Sequence, residues 1–277
     1  MTDGMDCTDY SVLMSVYEKE DASNLAQSME RIFFQTVPAN DFVLVCDGPL
    51  TPALDEVIRD YSFRYPDILH VVRLSENRGL GEALNAGLTH CRNELVARMD
   101  SDDWSYPDRC EKQLRMFSRY PDADIVSGAI EEFTEDPDVI TGIRSLPPDP
   151  IAIRRFSRKR NPFNHPAVMF RKKAVTDAGG YNERFHLFED YYLWIRMLQN
   201  DCKGYNITSP VLKMRTSEEQ MLRRGGWRYT KEMLAFHRWI LRTHWSKPLD
   251  YLTGALPHAV VCLLPNRLRL KVYRMLR

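Results

Sequence analysis

The chain of 277 residues contains no apolar run approaching the ~20 residues a bilayer span needs, and it opens on no basic-then-apolar segment of signal-peptide type. It is therefore expected to be neither integral nor exported, and cytoplasmic. Its six cysteines, at positions 7, 46, 91, 110, 202 and 262, form no Cys-x-x-Cys pair and no metal-ligand spacing, and read as reduced thiols. There is no internal repeat and no low-complexity tract. Net charge is also absent, with Lys+Arg and Asp+Glu at 38 each. That balance hides an asymmetry: residues from Arg215 onward carry +9, and residues 1 to 214 carry −9. What is present is an ordinary globular composition, 44% apolar and 27% charged, long enough for one large domain or a domain with an appendage.

Short apolar runs with β-branched members alternate with helical patterns. Tyr10 to Tyr17, Phe42 to Cys46 and Ile68 to Leu74 read as buried strands, separated by helices over Ala22 to Gln35 and Thr51 to Tyr65. That alternation predicts a parallel, doubly wound α/β sheet. The segment Ser75 to Cys91 opens a helix with glycines at 79, 81 and 87, but Leu84 stands where a dinucleotide fingerprint needs Gly. Two readings stay open for it. One is an anion contact through helix N-terminal amides and Arg78; the other is small residues for close packing.

The stretch Leu95 to Trp104 then ends an apolar strand in Asp100, Asp102 and Asp103. Carboxylates so crowded must be solvated, paired or on a metal, and the end of a strand is where open α/β sheets place their ligand crevice. Mg²⁺ or Mn²⁺ beside a nucleotide is usually held by one or two carboxylates, with phosphates and water completing the shell. The alternative is a polar turn capping the next helix. An EF-hand is excluded, because Trp104 and Ser105 occupy its required ligand and Gly positions.

Further along, a helix follows Pro107, and Ala123 to Phe133 is a strand leading into a long acidic and proline-rich loop, Thr134 to Pro150. The basic Ile153 to Asn161 is read either as closing over a phosphate-bearing substrate or as a solvated helix. A strand returns through Ala167 to Phe170, preceded by His165. An amphipathic helix carrying Leu193, Trp194, Met197 and Leu198 opens on Glu189 and Asp190, positions that the helix dipole alone would favour for acids. Arg196 falls on its opposite side and is expected to be structural.

The order of these motifs, a strand ending Ser-Val-Tyr, a strand ending Cys-Asp-Gly, the Asn-Arg-Gly-Leu-Gly helix and Arg-Met-Asp-Ser-Asp-Asp-Trp, resembles the nucleotide-sugar domain of family 2 glycosyltransferases, which have the GT-A fold. The resemblance covers Tyr10 to about Arg215 and implies a doubly wound mixed sheet in a catalytic domain over 1–215, followed by a basic helical segment over 216–277. It implies that Asp47 contacts the nucleobase, that Ser15, Tyr17, Glu18, Arg78, Asp100 and His165 line the nucleotide-sugar, and that Asp102 with Asp100 binds Mn²⁺ or Mg²⁺ on the diphosphate. It also implies a catalytic role for Glu189 and Asp190, with Asp190 as base. Cys46-Asp47-Gly48-Pro49 departs from the family's Asp-Asp-Gly-Ser, and Glu18 stands where Asn is common, so a UDP-sugar donor is a preference. For an isolated His such as His165, a structural hydrogen bond is the competing reading.

The expected activity is inverting, metal-dependent transfer to a saccharide or lipid-linked acceptor in cell-surface polysaccharide synthesis. A glycoside hydrolase also needs two carboxylates but neither nucleotide nor metal. A non-catalytic sugar-nucleotide or carbohydrate-binding subunit would not need the metal acids and Asp190 together. In the C-terminal segment a helical stripe of Met233, Leu234, Trp239 and Ile240 precedes an apolar stretch and then Arg267, Arg269, Lys271, Arg274 and Arg277. This tail is read either as an interfacial amphipathic segment at the inner face of the membrane or as helices packed on the domain or on a homodimer partner.

Overall fold

The computed structural model describes residues 9–217, 224–266, 268, 269 and 272. The first four apolar runs form parallel strands β1 (Tyr10–Val16), β2 (Asp41–Cys46), β3 (Leu69–Arg73) and β4 (Leu95–Asp100). Helices α1 (Ala22–Phe33), α2 (Pro52–Arg64) and α3 (Leu80–His90) connect them. Asp21 caps α1 by accepting from Ser23 N and Asn24 N, and Thr51 caps α2 ahead of Pro52. Beyond β4 come the short β5 (Trp104–Ser105), α4 (Arg109–Arg119), β6 (Ala123–Phe133), β7 (Gly142–Arg144), α5 (Pro150–Phe156), β8 (Met169–Arg171) and α6 (Lys172–Asp177). The chain continues through α7 (Glu189–Gln199), β9 (Lys203–Arg215) and α8 (Gly226–Arg242) to a helical run from Pro248 to Leu263.

The strand order is β3-β2-β1-β4-β8-β6-β9-β5, with β7 beside β6. Both faces are covered, and successive β1 residues serve different layers. Val12, Met14 and Val16 pack with Leu25, Met29, Leu54 and Leu114 of α1, α2 and α4, while Leu13 packs with Ala83, Leu84 and Trp194 of α3 and α7. This two-sided burial is why the strands read as continuous apolar runs. Gly87 sets the seat of α3, because a Cβ there would lie 2.4 Å from Leu13 Cδ1. The close-packing reading of that helix therefore holds.

The sheet is mixed, as the family resemblance implies, and not wholly parallel as strand–helix alternation alone would have it: β8 runs antiparallel to both β4 and β6. The strand expected from Ala167 starts at Met169, since His165–Ala167 forms a 3₁₀ turn around Pro166. The long acidic loop contains β7, which folds back on β6. Arg196 is structural, its guanidinium donating to the carbonyls of Ala178 and Gly180. In α8 the buried apolar stripe is Met233, Phe236 and Ile240, with Leu234 and Trp239 only partly covered. Phe236 and Ile240 join the same core layer as α7, so this helix is part of the main body.

Of the tail cations, Arg267, Lys271, Arg274 and Arg277 lie outside the described residues. Arg269 does not face a solvent boundary as expected: it is 2% exposed, packs against side-chain-free Gly225 and donates to Asn266 Oδ1 at 2.9 Å.

Candidate active site

The C-terminal ends of β1, β2 and β4 share one sheet edge, and Asp47 organises it. Its backbone N–H donates to Val16 O at 2.8 Å, its Oδ1 accepts from Arg78 N at 2.7 Å, and its Oδ2 accepts from Gly79 N at 3.0 Å. Gly48 makes this turn possible, with φ +87° and room for no Cβ, which would meet Asn77 N at 2.7 Å. Asp47 thus clamps the entry to α3. The helix begins after Gly79 without a side-chain cap, which leaves first-turn amides available to an anion. The Arg78 side chain is half exposed, with Nε 3.5 Å from Glu76 Oε1.

Asp100 lies beside Ser15 in the β1–β4 register. It is ion-paired with Arg98, whose side chain is 1% exposed and whose Nε and Nη1 have no hydrogen-bond partner among the described residues. Asp103 is also buried: its Oδ1 accepts from Arg215 N at 2.9 Å, and its Oδ2 has no partner among the described residues. Asp102 sits between these two acids. Burial first, then the charges of Asp100 and Glu20, push its carboxyl up to about 7, and burial with Asp100 and Asp102 pushes Asp103 well above the carboxylate range. Glu20 reaches this cluster through Ser101, whose hydroxyl donates to Glu20 Oε2 at 2.5 Å. In that loop the sequence points instead to Glu18. Glu18 and Tyr17 are both exposed, and Glu18 makes no hydrogen bond or ion pair with described residues.

A second pair of acids opens α7. Asp190 Oδ2 accepts from Asn161 Nδ2 at 2.7 Å and Oδ1 from Tyr191 N at 2.6 Å, while burial raises its carboxyl. Glu189 lies against the start of α3, where a Cβ on Gly81 would come 3.2 Å from its Oε2. Burial and then Asp190 push Glu189 up to about 7. The Arg98 charge reaches both sets of acids: it is ion-paired with Asp100, and it lowers Asp103, Glu189 and Asp190 against the larger effect of burial. His165 Nε2 is 2.8 Å from the Tyr181 hydroxyl, and burial followed by the Arg98 charge holds its pKa well below the ordinary range, so the ring is neutral. Sequence reading had missed Arg98, Asn161, Tyr181 and Glu20. Only Arg98 carried a signal, as a charge inside an otherwise apolar run.

Among the described residues no three His, Cys, Asp or Glu side chains form a ready-made cation cage. The donor chemistry nevertheless suits a hard divalent ion bound together with a diphosphate, which asks the protein for only one or two carboxylate oxygens. Asp100 and Asp102 are the acids that could supply these. Their mutual repulsion, which raises Asp102, is what a cation relieves.

The model of the family described as Glycosyl transferase family 2 matches residues 11–179. The chain is 35% identical over 269 residues to the Escherichia coli UDP-Gal:alpha-D-GlcNAc-diphosphoundecaprenol beta-1,3-galactosyltransferase, covering 97% of this chain and 96% of that one. It is 38% identical over 229 residues to the amylovoran biosynthesis glycosyltransferase AmsE of Erwinia amylovora, covering 83% and 84% respectively. A mannosyltransferase from Pyrobaculum calidifontis, solved with GDP-Man and Mn²⁺, shares the fold at TM-score 0.63 and 18% identity, over 96% of this chain and 79% of that one.

Proposed function

The chain belongs to glycosyl transferase family 2, with the GT-A fold, and from that premise we propose that it transfers a sugar with inversion from a UDP-sugar to a saccharide or lipid-linked saccharide acceptor, in cell-surface polysaccharide synthesis. The observation that carries this reading is that one buried guanidinium, Arg98, is ion-paired with Asp100 after β4 and also acts on Glu189 and Asp190 at the start of α7, where Asn161 holds Asp190 at 2.7 Å. The names of the two relatives, one for a diphosphoundecaprenol-linked acceptor and one for amylovoran biosynthesis, support the acceptor class and the pathway type. Residues 1–215 act as the catalytic domain, and 216–277 as a basic segment that brings it to the inner face of the membrane.

The donor diphosphate lies at the start of α3, against its free amides and Arg78. Asp102 and Asp100 would hold the divalent cation. The chemistry supplied when Mn²⁺ or Mg²⁺ is bound there is neutralisation of the charge on the departing diphosphate. Asp47 fixes the loop beside the nucleobase, Ser15, Tyr17 and Glu18 flank the nucleoside, and neutral His165, held by Tyr181, lines the sugar side.

Asp190 takes the proton of the acceptor hydroxyl as that oxygen attacks the anomeric carbon opposite the leaving group. One C–O bond forms as the other breaks, and the proton ends on the carboxylate. Asn161 and the Tyr191 amide fix the carboxylate's orientation. Burial strengthens it as a base by raising its pKa toward working pH.

A screen of nucleotide-sugars for hydrolysis with Mn²⁺, and again with EDTA, tests the reading. Mn²⁺-stimulated release of UDP from one UDP-sugar is expected. Failure to hydrolyse or transfer from any donor in the screen overturns it.

A further inference from the structure

The helical run from Pro248 to Leu263 is built inside out. Its inner face buries the small residues Ala255, Ala259 and Cys262, where it packs on α8. Its outer face exposes large ones: Leu249 at 67%, Leu252 at 55%, Leu256 at 40%, Val260 at 63% and Leu263 at 50%. These residues are spaced three or four apart and so share one side of the helix. No Asp, Glu, Lys or Arg occurs from Tyr251 to Asn266. A contiguous apolar stripe of this kind marks a surface that meets something.

The charges of the helix it packs on indicate the occupant. The described residues from 225 to 266 expose Arg228, Lys231, Arg238, Arg242 and Lys247, none of them ion-paired with a described residue. Their two carboxylates are both engaged, Glu232 accepting from Leu187 N at 2.6 Å and Asp250 from Lys247 N at 3.0 Å. Two copies meeting across this face would bring like charges together. An anionic lipid surface matches them. No described helix is long and apolar enough to cross a bilayer, so the run would lie in the interface.

We propose that the outer face of Pro248–Leu263 is the membrane-contacting surface, seated in an anionic bilayer with the α8 cations beside the headgroups. The proposal rests on the reading of a lipid-linked acceptor. It also fits the place of this appendage in the fold. Phe236 of α8 stacks on Phe188 at 5.4 Å, immediately before Glu189 and Asp190, so the docking element buttresses the segment carrying the acceptor-side base.

The test is sedimentation of the full chain with phosphatidylcholine vesicles, with and without phosphatidylglycerol, at low salt. The wild type is expected to sediment with the anionic vesicles. Leu252→Glu/Val260→Glu should lower partitioning at least tenfold, and Arg238→Gln/Arg242→Gln should weaken it in a salt-dependent way. Leu252→Ser/Val260→Ser, expected to act in the same direction, replaces the Glu pair if circular dichroism shows that pair misfolded. Wild type remaining in the supernatant, or both substituted forms sedimenting like wild type, overturns the proposal. Light scattering that shows a dimer split by these substitutions, with no vesicle binding, also overturns it and assigns the face to a second copy. Donor hydrolysis in the same preparations separates the two claims. Hydrolysis without vesicle binding removes only the docking face, and vesicle binding without hydrolysis removes the transferase reading.

Discussion

Arg98 and Asp100, two residues apart on one face of β4, form an ion pair whose guanidinium is sealed at 1% exposure while the carboxylate remains 35% exposed. The same buried charge lowers the carboxyls of Glu189 and Asp190, which burial otherwise raises. One arginine thus acts, against the larger effect of burial, on acids contributed by two distant parts of the chain.

Arg98→Met, close in length and apolar, should let Glu189 and Asp190 rise further. A base works only when deprotonated, so a higher carboxyl pKa means that activity is lost at a higher pH. The acidic limb of the kcat/KM profile is expected to move upward in the variant. A profile superimposable on wild type would reduce Arg98 to a packing role.

Asp190→Asn should leave donor affinity nearly intact and lower kcat by about 10²-fold or more, the range expected for loss of a positioned general base. Asn161→Ala should give a smaller fall, with the acidic limb again shifted upward, because the Asn161 hydrogen bond favours the ionised carboxylate. Single-turnover kinetics with saturating donor reads both. Near-wild-type kcat in Asp190→Asn would leave that residue as a helix-opening acid and nothing more.

Gly48→Ala places a Cβ on a backbone at φ +87° and 2.7 Å from Asn77 N, with backbone on both sides of the clash. A penalty of roughly 1–2 kcal/mol is expected, lowering Tm by about 2–4 °C per kcal/mol for a chain of this size. Donor KM should rise as well, because Asp47, next in sequence, fixes the amides of Arg78 and Gly79. Scanning calorimetry and donor titration measure the two effects. An unchanged Tm would mean that the turn relaxes freely.

The central strands were legible because burial on both faces writes them as uninterrupted apolar runs, and the acids after β4 were legible as a break in one. β9 was not. Its sequence contains Gly204 and Pro210, and Pro210 falls where the pairing with β6 slips its register, so an element that completes the sheet looks locally like a loop. Asn161 was invisible for a different reason. It meets Asp190 across 29 residues, and nothing in either local pattern announces the other. Glu20 in place of Glu18 is a matter of loop geometry, decided by Ser101 on the neighbouring strand-end loop. Arg269 was read from charge alone, and charge does not reveal the vacancy that Gly225 leaves for it.

The most direct test of the account is calorimetric titration of UDP, with and without Mn²⁺, into wild type and Asp102→Asn. The substituted amide keeps the shape of the side chain and removes the charge that holds the ion. The wild type is expected to bind UDP in a Mn²⁺-dependent way, and a folded Asp102→Asn protein to have lost that binding. Equal Mn²⁺-dependent affinity in the two proteins would contradict it.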